Sequence, residues 1–289
     1  MDELVKRIDE IPTLPIVSQK IMNLLNDENM SVKEIASVIE KDPALAVKIL
    51  KIANSAFFGS ISQISSIDYA VMRLGLGEVK FILQAFSIHR FFSENTPEGF
   101  DRTQFWKHSI ICSQVARYLE QYFKLEKDDT LFLSGLIHDL GKIVFDQFFH
   151  DEFLKIIDHV RDNEETFSKA EKAVIGFTHY HVAAKLLQQW QFPKKVIMQV
   201  FFHHAPWNDN DFTTGSIIIY LANILTKLAG FACLPTEKAV DIEAFSNSNA
   251  MEFIIKSGFD LDQQSLRTLV SHIREYIVQE TDNMLSFFT

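Results

Sequence analysis

Leu131-Phe132-Leu133-Ser134-Gly135-Leu136-Ile137-His138-Asp139-Leu140-Gly141-Lys142 is an apolar run that ends on three ionisable side chains. Its first seven residues hold one hydroxyl and no charge, so a helix made of them has no solvent face and must be buried. His138 and Asp139 then fall where a core would not choose them. Burying such polar groups without partners costs on the order of several kcal/mol. Some partner must satisfy them, and a metal ion is one candidate.

Helix signals continue on both sides. Ser31-Val32-Lys33-Glu34 fits a capping box, and Ile35, Val38 and Ile39 repeat at helical spacing. Asp42-Pro43 reads as an N-cap with Pro at the first helical position, and Ala46, Ile49, Leu50 and Ala53 form the next apolar face. Another helix is expected from Ser66-Ile67-Asp68, with Gly75 and Gly77 as punctuation before 79–91. Residues 94–101, polar and holding Pro97 and Gly99, predict a hinge. Beyond it, apolar helical patterns fall near 102–123, 130–149, 151–163, 168–175, 179–190, 193–204, 213–229, 249–257 and 263–285. Gly258 closes the penultimate one, and Asp260 or Asp262 caps the last. No sustained alternation, repeat or low-complexity tract interrupts them. The expected architecture is all-α, with two packed helical lobes at 1–95 and 96–289, the second ending in a helical tail.

Composition narrows the setting. Of 289 residues, 47% are hydrophobic and 23% charged, which excludes wholesale disorder. With 10 Gly and 7 Pro the chain is poorly supplied for an all-β protein of many tight turns. Its 26 Phe predict a bulky core. A net charge of −10 repels phosphate at long range, so neither nucleic acid nor an anionic membrane is an expected partner. No stretch is apolar enough to span a bilayer, and Met1-Asp2-Glu3 does not open a secretory signal. Cys112 and Cys233 lack a CxxC partner and are expected as buried reduced thiols, which points to the cytoplasm.

Histidines recur on inward-facing segments. His108 lies one turn from Phe105 and Cys112, His179 follows Gly176, and His203-His204 end the apolar run 196–202. Neutral imidazole with carboxylate suits Fe, Mn, Zn or Ni. The bland alternative is a set of core histidines bonded to Asp139, Asn223 and water.

The order His108, His138-Asp139, Lys142, His179, His203-His204 resembles the HD superfamily of metal-dependent phosphohydrolases. The local phrases are similar to its HDOD branch. Trp106-Lys107-His108-Ser109, the run Gly135 to Lys142, Glu171 eight residues before His179, and Trp190-Gln191-Phe192-Pro193 carry the likeness in the second lobe. Ile11-Pro12-Thr13-Leu14-Pro15, Asp42-Pro43-Ala44-Leu45-Ala46, Leu50-Lys51-Ile52-Ala53-Asn54-Ser55 with Phe58-Gly59, and Ile67-Asp68-Tyr69-Ala70 with Leu74-Gly75 carry it in the first. The resemblance covers about residues 7–230. It implies an all-α fold of two lobes and a bacterial signal-transduction context, in which such modules often accompany receiver or cyclic-nucleotide domains. No pattern of either is read in this chain.

Carried over by motif, the resemblance implies that His108, His138 and Asp139 match the first metal's ligands. His179, His203 and His204 match the histidines of a second, so the implied cofactor is a mono- or dinuclear divalent metal and no other. Lys142 matches a lysine that meets substrate phosphate in some relatives. One position departs: Ala222-Asn223 stands where active members have Ala-Asp. Asparagine can ligate through its carbonyl, but it brings no charge and cannot act as a base. The Gly-Tyr-Pro triplet of the related cyclic di-GMP hydrolases is missing after His204.

The expected function is therefore a regulatory module that meets a signalling protein on a degenerate phosphohydrolase scaffold. The alternative is an active phosphohydrolase on a nucleotide or phosphoester. DNA binding through 31–54 is disfavoured, because Glu34, Glu40 and Asp42 nearly balance Lys33, Lys41, Lys48 and Lys51. Glu171 is read as an acid that orients a ligating histidine. His89, His150, His159 and His272 lie outside the pattern, and His181, two residues after His179, points away. Trp106, Trp190 and Trp207 are read as packing residues.

Overall fold

Ser31 opens the first described helix as expected. Its hydroxyl accepts from Glu34 N, and Glu34 Oε2 accepts from Ser31 N at 2.8 Å, so α1 (Val32–Glu40) begins with two amide donors satisfied. Asp42 Oδ1 accepts from Leu45 N at 3.2 Å and starts α2 (Pro43–Ala53). Asn54 then ties the loop that follows: its Nδ2 donates to Leu50 O and Ile64 O, and its Oδ1 accepts from Ile64 N at 2.7 Å. Next come α3 (Ile67–Leu74) and α4 (Leu76–Phe92). The punctuation falls on Gly75 alone, since Gly77 lies inside α4.

The computed structural model describes residues 11, 31–54, 63–92, 97–234, 236–277, 281 and 285, and every regular element among them is helical. Residues 12–15 and 55–59 of the quoted phrases, and 94–96 of the expected hinge, lie outside the described residues. Asp101 caps α5 (Arg102–Tyr122) through Gln104 N at 2.9 Å. Arg102 ties three elements at that point: it donates to Asp146 Oδ2 at 2.6 Å, to Gln147 Oε1 at 2.7 Å and to Phe92 O.

The pattern at 130–149 becomes two helices, α6 (Thr130–Ile137) and α7 (Leu140–Phe148). His138 and Asp139 form the turn between them, where Lys142 N donates to Asp139 O at 2.9 Å. Apolar periodicity ran straight through, because both halves are buried; the break serves the two polar side chains. The chain continues through α8 (His150–Asn163), α9 (Phe167–Val174), α10 (His179–Gln189) and α11 (Lys194–Phe201). A 3₁₀ turn (Pro206–Asn208), α12 (Thr213–Leu228), α13 (Ile242–Ser246) and α14 (Asn249–Lys256) follow. The last described helix, α15 (Gln263–His272), runs into a π turn at Ile273–Ile277. The sequence reading missed α13, whose signal was the Asp241 N-cap on Ala244 N at 2.7 Å. Of the two candidate caps for α15, Asp262 does the work, accepting from Ser265 N at 2.7 Å.

Two apolar cores meet at α5. Phe105, Trp106 and Ile110 join a core that runs from α1 through α11. Ile111, Cys112, Val115, Ala116 and Leu119 face a second one built with α12 and the C-terminal helices. α6 is buried along its length and packs against α4, α5, α11 and α12. Gly135 permits that approach: a Cβ there would lie 2.7 Å from the Ser113 Cα of α5. Phenylalanine fills these cores, with Phe92, Phe105, Phe132, Phe145, Phe149, Phe153 and Phe167 almost wholly buried and none among the exposed large apolar side chains described. Trp106 and Trp190 pack inside as read from sequence, whereas Trp207 is 45% exposed and meets Tyr220 and Phe253 edge-on.

Candidate metal centre

Four helix ends converge on one point. His138 and Asp139 sit in the α6–α7 turn, His179 opens α10, and His203 and His204 follow the end of α11. His108 reaches in from the middle of α5. The described groups with metal-ligand spacing are two, and they share Asp139: His108 with His138 and Asp139, and Asp139 with His179, His203 and His204. In each, the ligand atoms lie within 4.8 Å of one another. His204 is the partly exposed member; the other five are fully buried.

The carboxylate of Asp139 faces both ways. Its Oδ2 lies 3.7 Å from His108 Nε2, 3.4 Å from His138 Nε2 and 2.7 Å from Lys142 Nζ. Its Oδ1 lies 3.1 Å from His179 Nε2 and 3.5 Å from His203 Nε2. Neither contact has hydrogen-bond geometry, so Oδ1 is a buried acceptor with no donor among the described residues.

The imidazole tautomers follow from their outer partners. His108 Nδ1 lies 2.6 Å from Phe231 O, His138 Nδ1 2.7 Å from Gly135 O, and His203 Nδ1 2.6 Å from Val200 O. A carbonyl only accepts, so each of these Nδ1 atoms carries a proton and donates it. His179 Nδ1 donates to Glu171 Oε2 at 2.8 Å, and Glu171 Oε1 also accepts from His179 N at 2.8 Å. The lone pairs of the neutral rings are thereby left on Nε2, and the Nε2 atoms face one another. His108 and His138 approach to 3.3 Å, His179 and His203 to 3.4 Å, and His204 and His179 to 3.2 Å. Where the tautomers are fixed in this way, at His108, His138, His179 and His203, opposed lone pairs at that distance repel unless a proton or a metal cation lies between them.

Charge is distributed accordingly. Burial alone would raise the Asp139 carboxyl, but Lys142 and His138 outweigh it and hold it well below the usual carboxylate range. Burial works against a charged His138, yet Asp139 pushes that imidazole up to about 10. His108 and His203 are pushed down to about 3 by burial, with the neighbouring His138 adding to it. Lys142 is 1% exposed. Its ammonium, opposed by burial but held by Asp139, stays charged and lies 5.0 Å from the centroid of the Phe167 ring.

The donor chemistry fits a divalent transition metal: neutral Nε2 atoms on His108 and His203 with their tautomers fixed by outer bonds, and one buried carboxylate oxygen with no donor. Asn223 on α12 is buried, and its Oδ1 is likewise an acceptor with no donor among the described residues. His181 turns to Thr178 Oγ1 at 2.7 Å, away from the centre.

The sequence profile of the HDOD domain matches residues 11–206. The chain belongs to the HDOD family. A solved HDOD protein of unknown function from Geobacter sulfurreducens superposes with a TM-score of 0.80 at 21% identity, covering 99% of this chain and 96% of that one. A protein from Marinobacter aquaeolei, named provisionally as a signal transduction protein, gives 0.75 at 22% identity over 99% of this chain and 65% of that one. At such identities the likeness is one of fold. An uncharacterized protein of Treponema pallidum is 28% identical over 202 residues, which are 68% of this chain and 38% of that protein. The HDOD chain thus spans well under half of that curated relative. No described helix is long and apolar enough to cross a membrane.

Sequence reasoning missed the outer partners. Gly135 O, Val200 O and Phe231 O are backbone atoms and leave no mark in residue identity. Cys233 and Glu237, whose charges act on Lys142, and Lys227, the ion-pair partner of Glu237, belong to no recognised phrase.

Proposed function

We propose that this chain is a bacterial regulatory HDOD module that acts through a protein partner, on a phosphohydrolase scaffold that holds one metal and has lost its catalytic pair. One observation carries the reading: the two oxygens of Asp139 are not equivalent. Oδ2 is bonded by the Lys142 ammonium at 2.7 Å, while Oδ1 accepts no hydrogen bond. His179, His203, His204 and Asp139 Oδ1 would hold the ion, which is Fe, Mn, Zn or Ni by donor type. His108 and His138 would need Oδ2 and Asn223 to hold another, with an ammonium on the first and no charge on the second. A divalent ion bound here supplies Lewis acidity and a more acidic bound water. Glu171 orients His179, and Asn223 has no proton-accepting carboxylate to offer a second ion's water.

The partner surface is assigned to the N-terminal lobe, residues 1–95. Val47, Tyr69 and Met72 are large apolar side chains left exposed there, and Tyr69 and Met72 are three residues apart on one face of α3. The greater length of the Treponema relative agrees with a module that works beside other segments. The two buried, unpaired thiols suit the cytoplasm.

Elemental analysis of untagged protein tests the centre. Close to one equivalent of metal per chain is expected, and two overturn the reading. Tyr69→Ala/Met72→Ala, both exposed, should keep the metal and the fold but lose retention of the partner from native extract. The second reading, an active phosphohydrolase, is favoured by the otherwise complete histidine set. Nucleotides and phosphodiesters screened with Mn- or Fe-loaded protein should give no turnover above a His138→Ala control. Turnover above that baseline transfers the assignment to an enzyme.

A further inference from the structure

A carboxyl group that no motif marked is buried where α4 begins, against α5 and the loop that joins α5 to α6. Glu78 lies in the first turn of α4, and its side chain is wholly buried. Both of its oxygens lack a hydrogen-bond donor among the described residues. Arg117 of α5 brings Nη2 to 3.6 Å from Glu78 Oε2, beyond hydrogen-bond reach. Its Nη1 is committed to Glu120 Oε2 at 3.4 Å, and its Nε meets no acceptor. Glu120 Oε1 in turn accepts from Asp128 N. Asp129 stands over the same turn of α4, since a Cβ on Gly77 would lie 2.6 Å from Asp129 Oδ2. Its Oδ1 lies 2.6 Å from Lys127 Nζ.

Three carboxyl groups, Glu78, Glu120 and Asp129, thus share two cations, Arg117 and Lys127. Lys127 and Asp129 are 61% and 40% exposed, so water screens their pair. Of the other elements packed on α4, α3 adds Asp68 and Arg73, α4 itself adds Lys80, and α6 has no charged residue. An ionised Glu78 in this place gives up its hydration and gains no hydrogen bond in return, whereas a neutral carboxyl costs far less to bury. Burial pushes Glu78 up to about 7; Asp129 and Glu120 add to it, and Arg117 and Lys127 oppose it.

We propose that Glu78 is a proton-operated catch: neutral, it lets the start of α4 lie closed against α5 and residues 127–129, and on ionising it drives that junction open. Once open, Glu78 is hydrated and titrates as an ordinary carboxyl near 4.5, whereas closed it keeps its proton up to about 7. Opening therefore releases a proton between these values. It becomes about tenfold easier per pH unit across them and changes no further above. Gly75 alone separates α4 from α3, which presents Tyr69 and Met72, so an open junction shifts the proposed partner surface. That consequence rests on the partner reading; the catch does not.

Amide exchange of the full chain, read by peptide mass from pH 5 to 8 and corrected for the intrinsic rate at each pH, follows the junction through residues 76–80 and 125–131. In wild type their protection should fall by up to about tenfold per pH unit and level off near pH 7. Residues 217–221, in the core of α12, should keep a flat profile. Glu78→Gln preserves the shape without the charge, and its junction should stay protected throughout. Asp129→Asn, at a half-exposed position, removes a like charge and should move the levelling-off to lower pH. A wild-type junction indifferent to pH, or a Glu78→Gln profile that falls with the wild type, overturns the proposal. If Glu78→Gln does not fold, an unshifted Asp129→Asn profile overturns it. No partner enters this assay, so it stands apart from the retention experiment on Tyr69 and Met72.

Discussion

Gly141→Ala tests the way the centre is assembled. Gly141 lies in the first turn of α7, where that helix meets the start of α10. A Cβ at this position would lie 2.0 Å from His179 O, 2.6 Å from His179 C and 2.7 Å from His179 Cα. Carbon contacts are comfortable near 3.5 Å, so the two helix ends must part by about 1.5 Å. All three atoms are backbone and cannot rotate away. Overpacking of this kind costs about 1–3 kcal/mol, here at the upper end, while alanine's helix propensity returns about 1 kcal/mol. The net loss is about 2 kcal/mol, or a fall of roughly 4–8 °C in Tm. The same movement separates His179 Nε2 from Asp139 Oδ1, now 3.1 Å apart. Calorimetry with elemental analysis checks both effects. Gly77→Ala is the control: its Cβ would meet Asp129 Oδ2 at 2.6 Å, but that side chain is 40% exposed and can swing clear. It should stay within about 1 kcal/mol of wild type. A Gly141→Ala protein that melts at the wild-type temperature with its full metal content would refute the reasoning.

Other perturbations separate the roles of the remaining groups. Glu171→Gln keeps the shape but weakens the hold on His179, and metal affinity measured by competition with a chelator should fall about 10–100-fold with unchanged helicity. Metal uptake should strengthen with pH. His138 holds its proton up to about 10, against burial and because of Asp139, so an ion using His138 displaces that proton and its affinity rises about tenfold per pH unit below that point. An ion held only by His179, His203, His204 and Asp139 should escape this His138 step, and titrations at pH 6, 7 and 8 distinguish the two. Arg102→Met leaves Asp146, whose side chain is wholly buried, without its guanidinium. It should cost about 3–5 kcal/mol in a denaturant melt. Asn223→Asp should raise metal stoichiometry toward two, and an unchanged value would show that Lys142, not Asn223, limits the first half of the centre.

The fold was legible where local chemistry decides structure. Ser31 with Glu34, Asp42 and Asp262 announce helix starts because a capping side chain acts within three residues of itself. The break at His138-Asp139 was not legible, since the apolar period runs through two helices that are both buried. Convergence of the histidines was legible through family phrases and their order, not through spacing, for 96 positions separate His108 from His204. What stayed hidden is long-range and carried by backbone atoms or charge. Phe231 O is 123 residues from the imidazole it fixes, and nothing in Lys227 or Glu237 as letters sets them apart from surface residues.

On the proposed reading, position 223 has lost a carboxylate, and the structure is compatible with a histidine set that survives that loss. His138 Nδ1 donates to Gly135 O and His203 Nδ1 to Val200 O, each three residues back. These carbonyls belong to the last turns of α6 and α11, where helices run out of amide donors. At the other end, Glu171 accepts from His179 N in the first turn of α10, which has the opposite need. The His138 and His203 imidazoles and Glu171 are therefore helix caps whether or not a metal is held, and each would leave a buried backbone group unpaired if removed, at about 1–3 kcal/mol apiece. Asn223 has no such second duty: it lies in the middle of α12, and its Oδ1 is bonded to nothing among the described residues. On the proposed reading, exchanging an aspartate for asparagine there changes the charge of the centre without touching a cap. Stability thus holds His138 and His203 in place whether or not chemistry is performed, and on the proposed reading the position free to change is the one with no cap to serve.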